Sequence, residues 1–358
     1  MVKIIHCSDL HLDSRMETNL SARQARERNA ECCTTFSRMV SFAEENGVDA
    51  VLVAGDLFDS RRASAQTVGL VLDRIRSAAG VEFFYLRGNH DDKSTVFGDL
   101  ELPDNFKTFS GDWTYYRRGD VTIAGLELDR ENWESMYNSL ALPGDTVNIV
   151  MLHGQESTRP GEELISVPDL RGKGIRYLAL GHIHSYQKAP LDLEGEYCYC
   201  GCLEGRGFDE CGKKGFVLLE VDNQRVKSQF VPFASRSLHE IQVDITDLRT
   251  VSQLQQAMEA ASKDISTGDL VKFTLTGTYT LQTQKDLGLL QKMFEPRFYF
   301  VKLKDESRLK IEKETYEHDV SLKGEFIRMV MASDKSDEEK ERIICCGIRA
   351  LSGEEIAL

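Results

Sequence analysis

Val2-Lys3-Ile4-Ile5-His6-Cys7-Ser8-Asp9-Leu10-His11 opens the chain: an apolar run long enough for one strand, followed at once by a carboxylate and an imidazole two residues apart. Four later segments repeat the form. Asp49 to Ala54 leads into Gly55-Asp56-Leu57-Phe58-Asp59, and Val81 to Leu86 leads into Gly88-Asn89-His90-Asp91. Val147 to Leu152 leads into His153-Gly154, and Arg176 to Leu180 into Gly181-His182-Ile183-His184. Short runs this rich in Val, Ile, Leu, Phe and Tyr read as strands buried on both faces. Ser21 to Asn46 and Ala63 to Ala79 carry apolar residues at helical spacing, so helices are expected to cover those strands. The alternation is that of a layered α/β domain. Strands of one such sheet deliver their C-terminal ends to a common edge, where the polar ends are expected to converge.

Each strand end is weak evidence alone. A lone Asp-x-His after a strand is more often a hydrogen-bonded cap than a ligand, and Gly-Asp is a common turn. The coincidence carries the weight: five of the eight histidines stand at these ends, close to Asp, Asn or Gly. Asp9, His11, Asp56, Asn89, His153, His182 and His184 together offer more oxygen and nitrogen donors than one ion takes. They suit two ions that share a carboxylate, and Asp56 is the natural bridge because its two oxygens can hold two cations apart. Imidazole, carboxylate and amide donors without thiolate fit manganese, iron or zinc.

The ordered set Asp9-x-His11, Gly55-Asp56, Gly88-Asn89-His90-Asp91, His153-Gly154 and Gly181-His182-x-His184 resembles the signature of the calcineurin-like metallophosphoesterases, over the first half of the chain. The resemblance implies a four-layer α/β sandwich. It also implies one metal held by Asp9, His11, Asp56 and His184, and a second held by Asp56, Asn89, His153 and His182. Two such ions, ~3.5 to 4 Å apart, activate a hydroxide and stabilise the attacking and leaving oxygens of an in-line displacement. His90 is then a catalytic residue that stabilises the transition state or protonates the leaving oxygen. Asp91 is grouped with it, hydrogen-bonding a ligating His or the loop backbone. Asp59 either touches substrate or caps the next helix at Ser60. Gly55, Gly88, Gly154 and Gly181 are expected to serve backbone geometry.

Three further stretches narrow the resemblance: His11-Leu12-Asp13-Ser14, then Cys202-Leu203-Glu204-Gly205-Arg206-Gly207-Phe208-Asp209-Glu210 followed by Lys214-Gly215-Phe216, and finally Lys323-Gly324-Glu325-Phe326-Ile327-Arg328. These resemble the bacterial SbcD and YhaO group of DNA repair exonucleases. Manganese, DNA as substrate, an SbcC-like coiled-coil ATPase as partner and a homodimer are what that resemblance implies. Cys200 and Cys202 depart from it, standing where the group tends to have Pro and Ser. A phosphatase or phosphodiesterase of small molecules or proteins on the same metal core is the alternative, since fold alone does not fix substrate.

The organisation expected is a nuclease domain over 1–237, an α+β cap over 238–310 and a helical tail over 311–358. In the cap, Glu240 to Thr246, Leu270 to Thr278 and Arg297 to Leu303 read as strands, with Val251 to Ser262 and Thr283 to Phe294 as helices. In the tail, Lys323 to Ala332 and Asp337 to Leu351 carry apolar stripes, with Ser336 as N-cap of the second. Those stripes suit either the chain's own core or a partner helix. The net charge of -14 argues against holding nucleic acid by overall field. It is concentrated at the two ends: Lys and Arg number 27 against 36 acids over 1–237, ten against ten over 238–310, and seven against twelve thereafter. Arg206, Lys213 and Lys214 read either as a solvated basic turn or as phosphate contacts. Cys198, Cys200, Cys202 and Cys211 lack the C-x-x-C spacing of structural zinc sites and read as reduced thiols. Without a leader-like segment or an apolar run of ~18 residues, a cytoplasmic protein free of membrane is expected.

Overall fold

The five apolar runs are strands, divided between the two sheets of the expected four-layer sandwich. The computed structural model describes residues 1–16, 20–59, 63–91, 97–98, 100–311 and 316–351. Contacts divide the chain into two units, Met1–His239 and Glu240–Leu358. In the first unit the strands are β1 (Val2–Cys7), β2 (Ala50–Ala54), β3 (Glu82–Leu86), β4 (Phe106–Thr108), β5 (Thr114–Arg118), β6 (Val121–Gly125) and β7 (Val147–His153). They continue with β8 (Gln155–Ser157), β9 (Leu164–Ser166), β10 (Ile175–Gly181), β11 (Gln187–Pro190), β12 (Glu196–Tyr199), β13 (Gly215–Asp222) and β14 (Arg225–Pro232). One sheet has the order β14-β13-β1-β2-β3-β4 and the other β11-β12-β10-β7-β6-β5. β1 to β4 pair in parallel, and so do β6, β7, β10 and β12.

Side-chain alternation explains the layers. Ile4, Leu52 and Phe84 point to one face and meet Ile149, Met151, Tyr177 and Ala179 of the other sheet. Ile5, Val51, Val53, Phe83 and Tyr85 point the other way and meet Phe36, Met39, Val71 and Ile75. Those last four lie on the helices Ala22–Glu45 and Ala65–Ser77, the two covering helices expected. On the far side, Val150, Leu152, Leu178 and Leu180 are covered by Met136, Tyr137 and Leu170, which belong to one-turn helices and loops. The result is a four-layer α/β sandwich whose last layer is thin. Each fully buried large side chain of this kind contributes ~1.5 to 3 kcal/mol.

The two sheets come closest where the chemistry lies. A Cβ on Gly181 would stand 1.8 Å from the Ala54 carbonyl oxygen, so only glycine lets the end of β10 approach the end of β2. Both ends then serve one edge.

The strand Leu238–Asp244, which carries the chain into the second unit, forms a three-stranded sheet with Leu270–Thr276 and Phe300–Asp305. Leu254 and Met258 from one helix and Leu290 and Phe294 from another pack on Val271 and Phe273. The tail helices Leu322–Met331 and Asp337–Leu351 lie in this same unit, with Ile327, Val330 and Ile344 clustered against Leu309 and Tyr316. The Ser336 hydroxyl accepts from the Glu339 N–H at 3.3 Å, and Glu339 accepts from the Ser336 N–H at 3.0 Å, a reciprocal cap. Among the described residues no helix is long and apolar enough to cross a membrane.

Gly181→Ala is expected to cost ~1 to 3 kcal/mol, the usual toll of overpacking. Gly80→Ala, where an added Cβ meets nothing within 4 Å, is expected to stay within ~0.5 kcal/mol of the parent. Urea denaturation of both variants checks this, and equal midpoints would contradict the close approach.

Candidate metal centre

The chain leaves β1 and β2 along paired tracks. The backbone N–H groups of Asp9, His11 and Leu12 donate to the carbonyls of Gly55, Asp56 and Leu57, each at 3.0 Å, and Asp59 N–H returns to the Leu12 carbonyl at 3.1 Å. To turn their side chains onto one point these loops adopt left-handed backbone, with φ of 52° at Asp9, 45° at His11 and 51° at Asp56. His182, after β10, has φ of 107°. Such conformations cost of order 1 to 3 kcal/mol each outside glycine and gather at functional sites. Gly88 is needed for a different reason: a Cβ there would lie 2.1 Å from Asp56 Oδ1.

All seven predicted donors are brought together. Asp56 is the hub: its Oδ2 lies 3.4 Å from His153 Nε2 and 3.7 Å from His11 Nε2, while Oδ1 accepts from the His90 N–H at 2.9 Å. Asp9 accepts from the His182 N–H at 3.0 and 3.2 Å and from the Ser8 hydroxyl, and stands 3.7 Å from His184 Nε2. Asn89 Oδ1 is 3.0 Å from His153 Nε2, and the His182 ring stands perpendicular to His153 with centroids 5.5 Å apart. His153 Nδ1 lies 2.9 Å from the Ala54 carbonyl, an acceptor that places the proton on Nδ1 and turns the Nε2 lone pair inward. Asp9, His11 and His184 form one group with ligand atoms within 4.8 Å of one another, and Asp9, Asp56 and His153 a second.

The donor set fits cations. His11 Nε2 and His184 Nε2 face each other at 3.2 Å beside two buried carboxylates, and with Asp59 and Glu210 placed to accept from the two Nδ1–H groups, both Nε2 lone pairs are directed at one point. A positive ion is the partner such a cluster requires. The site thus contains residues able to hold two metals.

Charges follow from the same contacts. Burial would raise the Asp56 pKa, yet the hydrogen bond and charge of His153, with His11 and the His90 N–H, hold it well below the carboxylate range. Burial would lower His153, but Asp56 raises it to about 9. Burial and the neighbouring His153 push His182 down. Burial opposes the charged form of His184, and the Glu210 hydrogen bond overrides it, so its pKa rises. Burial acts the same way on Asp59, and His11, Ser14 and Arg206 bring it down to about 2.

His90 is half exposed, with its Nδ1 3.5 Å from Asp59 Oδ1 and its ring 5.1 Å from that of His11. Asp59 also lies 3.2 Å from His11 Nδ1, so it faces the cluster; Ser60 lies outside the described residues, and the next helix is capped by Ser64. Asp91 is 5% exposed and accepts from the backbone N–H groups of Leu57, Phe58 and Gly88 at 3.3, 3.0 and 3.0 Å. Of the two expectations for Asp91, the structure has the loop backbone, and among the described residues no hydrogen bond between Asp91 and a ligating His is seen. Lys214 is buried and donates to the His184 carbonyl at 2.6 Å, so it is neither a solvated turn residue nor a phosphate contact; Lys213 is exposed. Sequence reasoning gave Glu210 no role, although its Oε1 lies 2.7 Å from His184 Nδ1. Only the acid's place in the Cys202 to Glu210 stretch could have pointed to it. Cys198 and Cys200 share the inner face of their sheet. Burial raises Cys198 to about 12 and pushes Cys200 and Cys202 well above the ordinary thiol value, so they are protonated thiols.

This geometry agrees with sequence comparison, in which the description "Calcineurin-like phosphoesterase" matches residues 2–204. The chain belongs to that family. As a calcineurin-like phosphoesterase it is a metal-dependent enzyme acting on phosphate esters. It is 28% identical over 274 residues to the uncharacterized metallophosphoesterase YhaO of Bacillus subtilis (strain 168), covering 71% of this chain and 66% of that one. It is 31% identical over 205 residues to the DNA double-strand break repair protein Mre11 of Sulfurisphaera tokodaii, covering 53% of this chain and 51% of that one. With the SbcD component of the nuclease SbcCD of Staphylococcus saprophyticus it shares 24% over 302 residues, covering 74% and 76%. The chain thus spans less than two thirds of the length of the first two relatives.

In the metal-free phosphoesterase His153 is expected to titrate near 9 by NMR. Asp56→Asn removes the cause and leaves burial, so the value should fall below the ordinary 6.5. The stability this raised pKa contributes is fully present below about 6.5 and lost as pH rises through about 9. An unchanged His153 titration in Asp56→Asn would contradict the pairing.

Proposed function

We propose that this phosphoesterase is a two-metal phosphodiesterase acting as a DNA nuclease subunit in DNA repair, with manganese as the metal. The observation that carries the reading is the position of the Asp56 carboxylate between His11 and His153, one donor of each proposed ion, at 3.7 and 3.4 Å. Asp9, His11, Asp56 and His184 would hold one ion, and Asp56, Asn89, His153 and His182 the other. When bound, the two ions supply Lewis acidity toward a phosphoryl oxygen and an activated water. His90 is the proton donor or charge stabiliser at the leaving oxygen, since it borders the donor groups with half its side chain exposed to an arriving substrate. Asp59 orients it from 3.5 Å. Asp91 is a positioning residue that holds the Gly88 and Leu57 loops together.

The nuclease part is supported by relatives named for double-strand break repair and for the SbcCD nuclease. The partner part, an SbcC-like coiled-coil ATPase, is supported by a relative named as one subunit of the SbcCD nuclease and by the tail helices. Leu322, Met329 and Leu351 are 72%, 66% and 47% exposed there, and Ile311, Tyr316, Ile327 and Met331 line a groove of about 500 Å³. A partner helix could cover such a surface and bring the basic groups that this acidic chain lacks. Net charge of -14 is the observation that favours the second reading, a phosphatase or phosphodiesterase of small molecules or proteins.

Manganese-loaded protein is expected to cleave a chromogenic phosphodiester and DNA, tested in parallel on single-stranded and duplex forms. His90→Ala should keep both ions and lose ~100 to 10,000-fold in turnover of the diester. Parent-rate cleavage by His90→Ala would remove His90 from the chemistry. Cleavage of a phosphomonoester with DNA left intact would establish the second reading.

A further inference from the structure

We propose that Glu210 is a positioning residue for His184, and that Arg206 ties the pair to Asp59 beside His11 and His90, so that the donors on one ion's side of the site are set together. The inference rests on the reading of His184 as a metal ligand. Glu210 is 4% exposed and lies outside the stretch matched by the family. Its Oε1 stands 2.7 Å from His184 Nδ1. A carboxylate there accepts a hydrogen bond from Nδ1–H, at a shorter distance than the 3.3 Å at which Arg206 Nη2 approaches the same nitrogen, and so favours the tautomer that leaves the Nε2 lone pair for the cluster, where it lies 3.2 Å from His11 Nε2. The acid is itself held by its neighbours: it accepts from the Arg206 backbone N–H at 2.7 Å and from the guanidinium Nη2 at 2.7 Å.

The same segment grips the His184 backbone. Lys214 Nζ donates to the His184 carbonyl at 2.6 Å, and Cys202 N–H reaches it at 3.4 Å. With main chain and Nδ1 both fixed, one imidazole orientation remains. Arg206 then extends the brace: its Nη1 lies 3.3 Å from Ser14 Oγ and 3.6 Å from Asp59 Oδ2. Asp59 in turn faces His11 Nδ1 at 3.2 Å and His90 Nδ1 at 3.5 Å. One guanidinium therefore joins the carboxylate behind a metal-facing His to the carboxylate beside His90. The Cys202 to Lys214 segment serves the site without offering it a ligand.

Manganese binding by calorimetry and electron paramagnetic resonance tests this, on the full chain and on its His184→Ala, Glu210→Ala and Glu210→Gln forms. The parent should bind two ions with an exchange-coupled spectrum, and His184→Ala should lose one. Glu210→Ala should weaken one ion by ~10 to 100-fold, leave the other at parental affinity and show the spectrum of an isolated ion. Glu210→Gln, which keeps an acceptor for Nδ1–H in the same shape, should recover part of the loss and guards against a folding defect. A merely structural role would weaken both ions together or neither. Two ions at parental affinity in Glu210→Ala, with one lost in His184→Ala, would overturn the proposal alone. Two ions retained in His184→Ala would overturn the ligand assignment beneath it.

Discussion

The Asp56 carboxylate is the constraint on which the rest of the site depends. A charged group 1% exposed has to be compensated on every side, and the compensation comes from both sheets: His11 beside it from the first, His153 from the second, and the His90 N–H from the loop after β3. Burial alone would neutralise it; these partners keep it ionised. The glycines follow from the same demand. Gly88 lets the third loop lie against Asp56, and Gly181 lets the second sheet reach the edge of the first.

Fixing seven donors in one place is costly in backbone terms. Asp9, His11 and Asp56 all sit in left-handed conformations, at of order 1 to 3 kcal/mol each. The sandwich beneath can support that. Ile4, Leu52, Ile149 and Met151 are at most 1% exposed between the sheets, so the strand ends are held by a core that does not yield. Stability is concentrated in the layers, and strain at the edge where ligands are presented.

The five ligand-bearing strands were legible because burial on both faces leaves continuous apolar runs with polar residues only at their ends. Their division between two sheets was not, since an apolar run reports burial and says nothing of which neighbour it pairs with. β5 went unread for a related reason: Thr114–Arg118, at the sheet edge, is Thr-Tyr-Tyr-Arg-Arg, with only partial burial to mark it. The donors were legible as a coincidence of His and Asp at strand ends. Glu210 was not, because it meets His184 across 26 residues through a single 3-10 turn that leaves no periodic signal. Lys214 misled for the opposite reason: a lysine beside glycine suggests solvent, whereas the His184 carbonyl gives it a buried partner.

A net charge of -14 sits uneasily with a polyanionic substrate until the site's own acids are counted with the ions they would hold. Metal at the edge of the sandwich would turn a cluster of buried carboxylates into a place where phosphate is attracted. The most direct measurement is anomalous diffraction from crystals grown with manganese. Two peaks ~3.5 to 4 Å apart, one on each side of Asp56, are what the account predicts. A single peak, or two peaks that do not share Asp56, would contradict it.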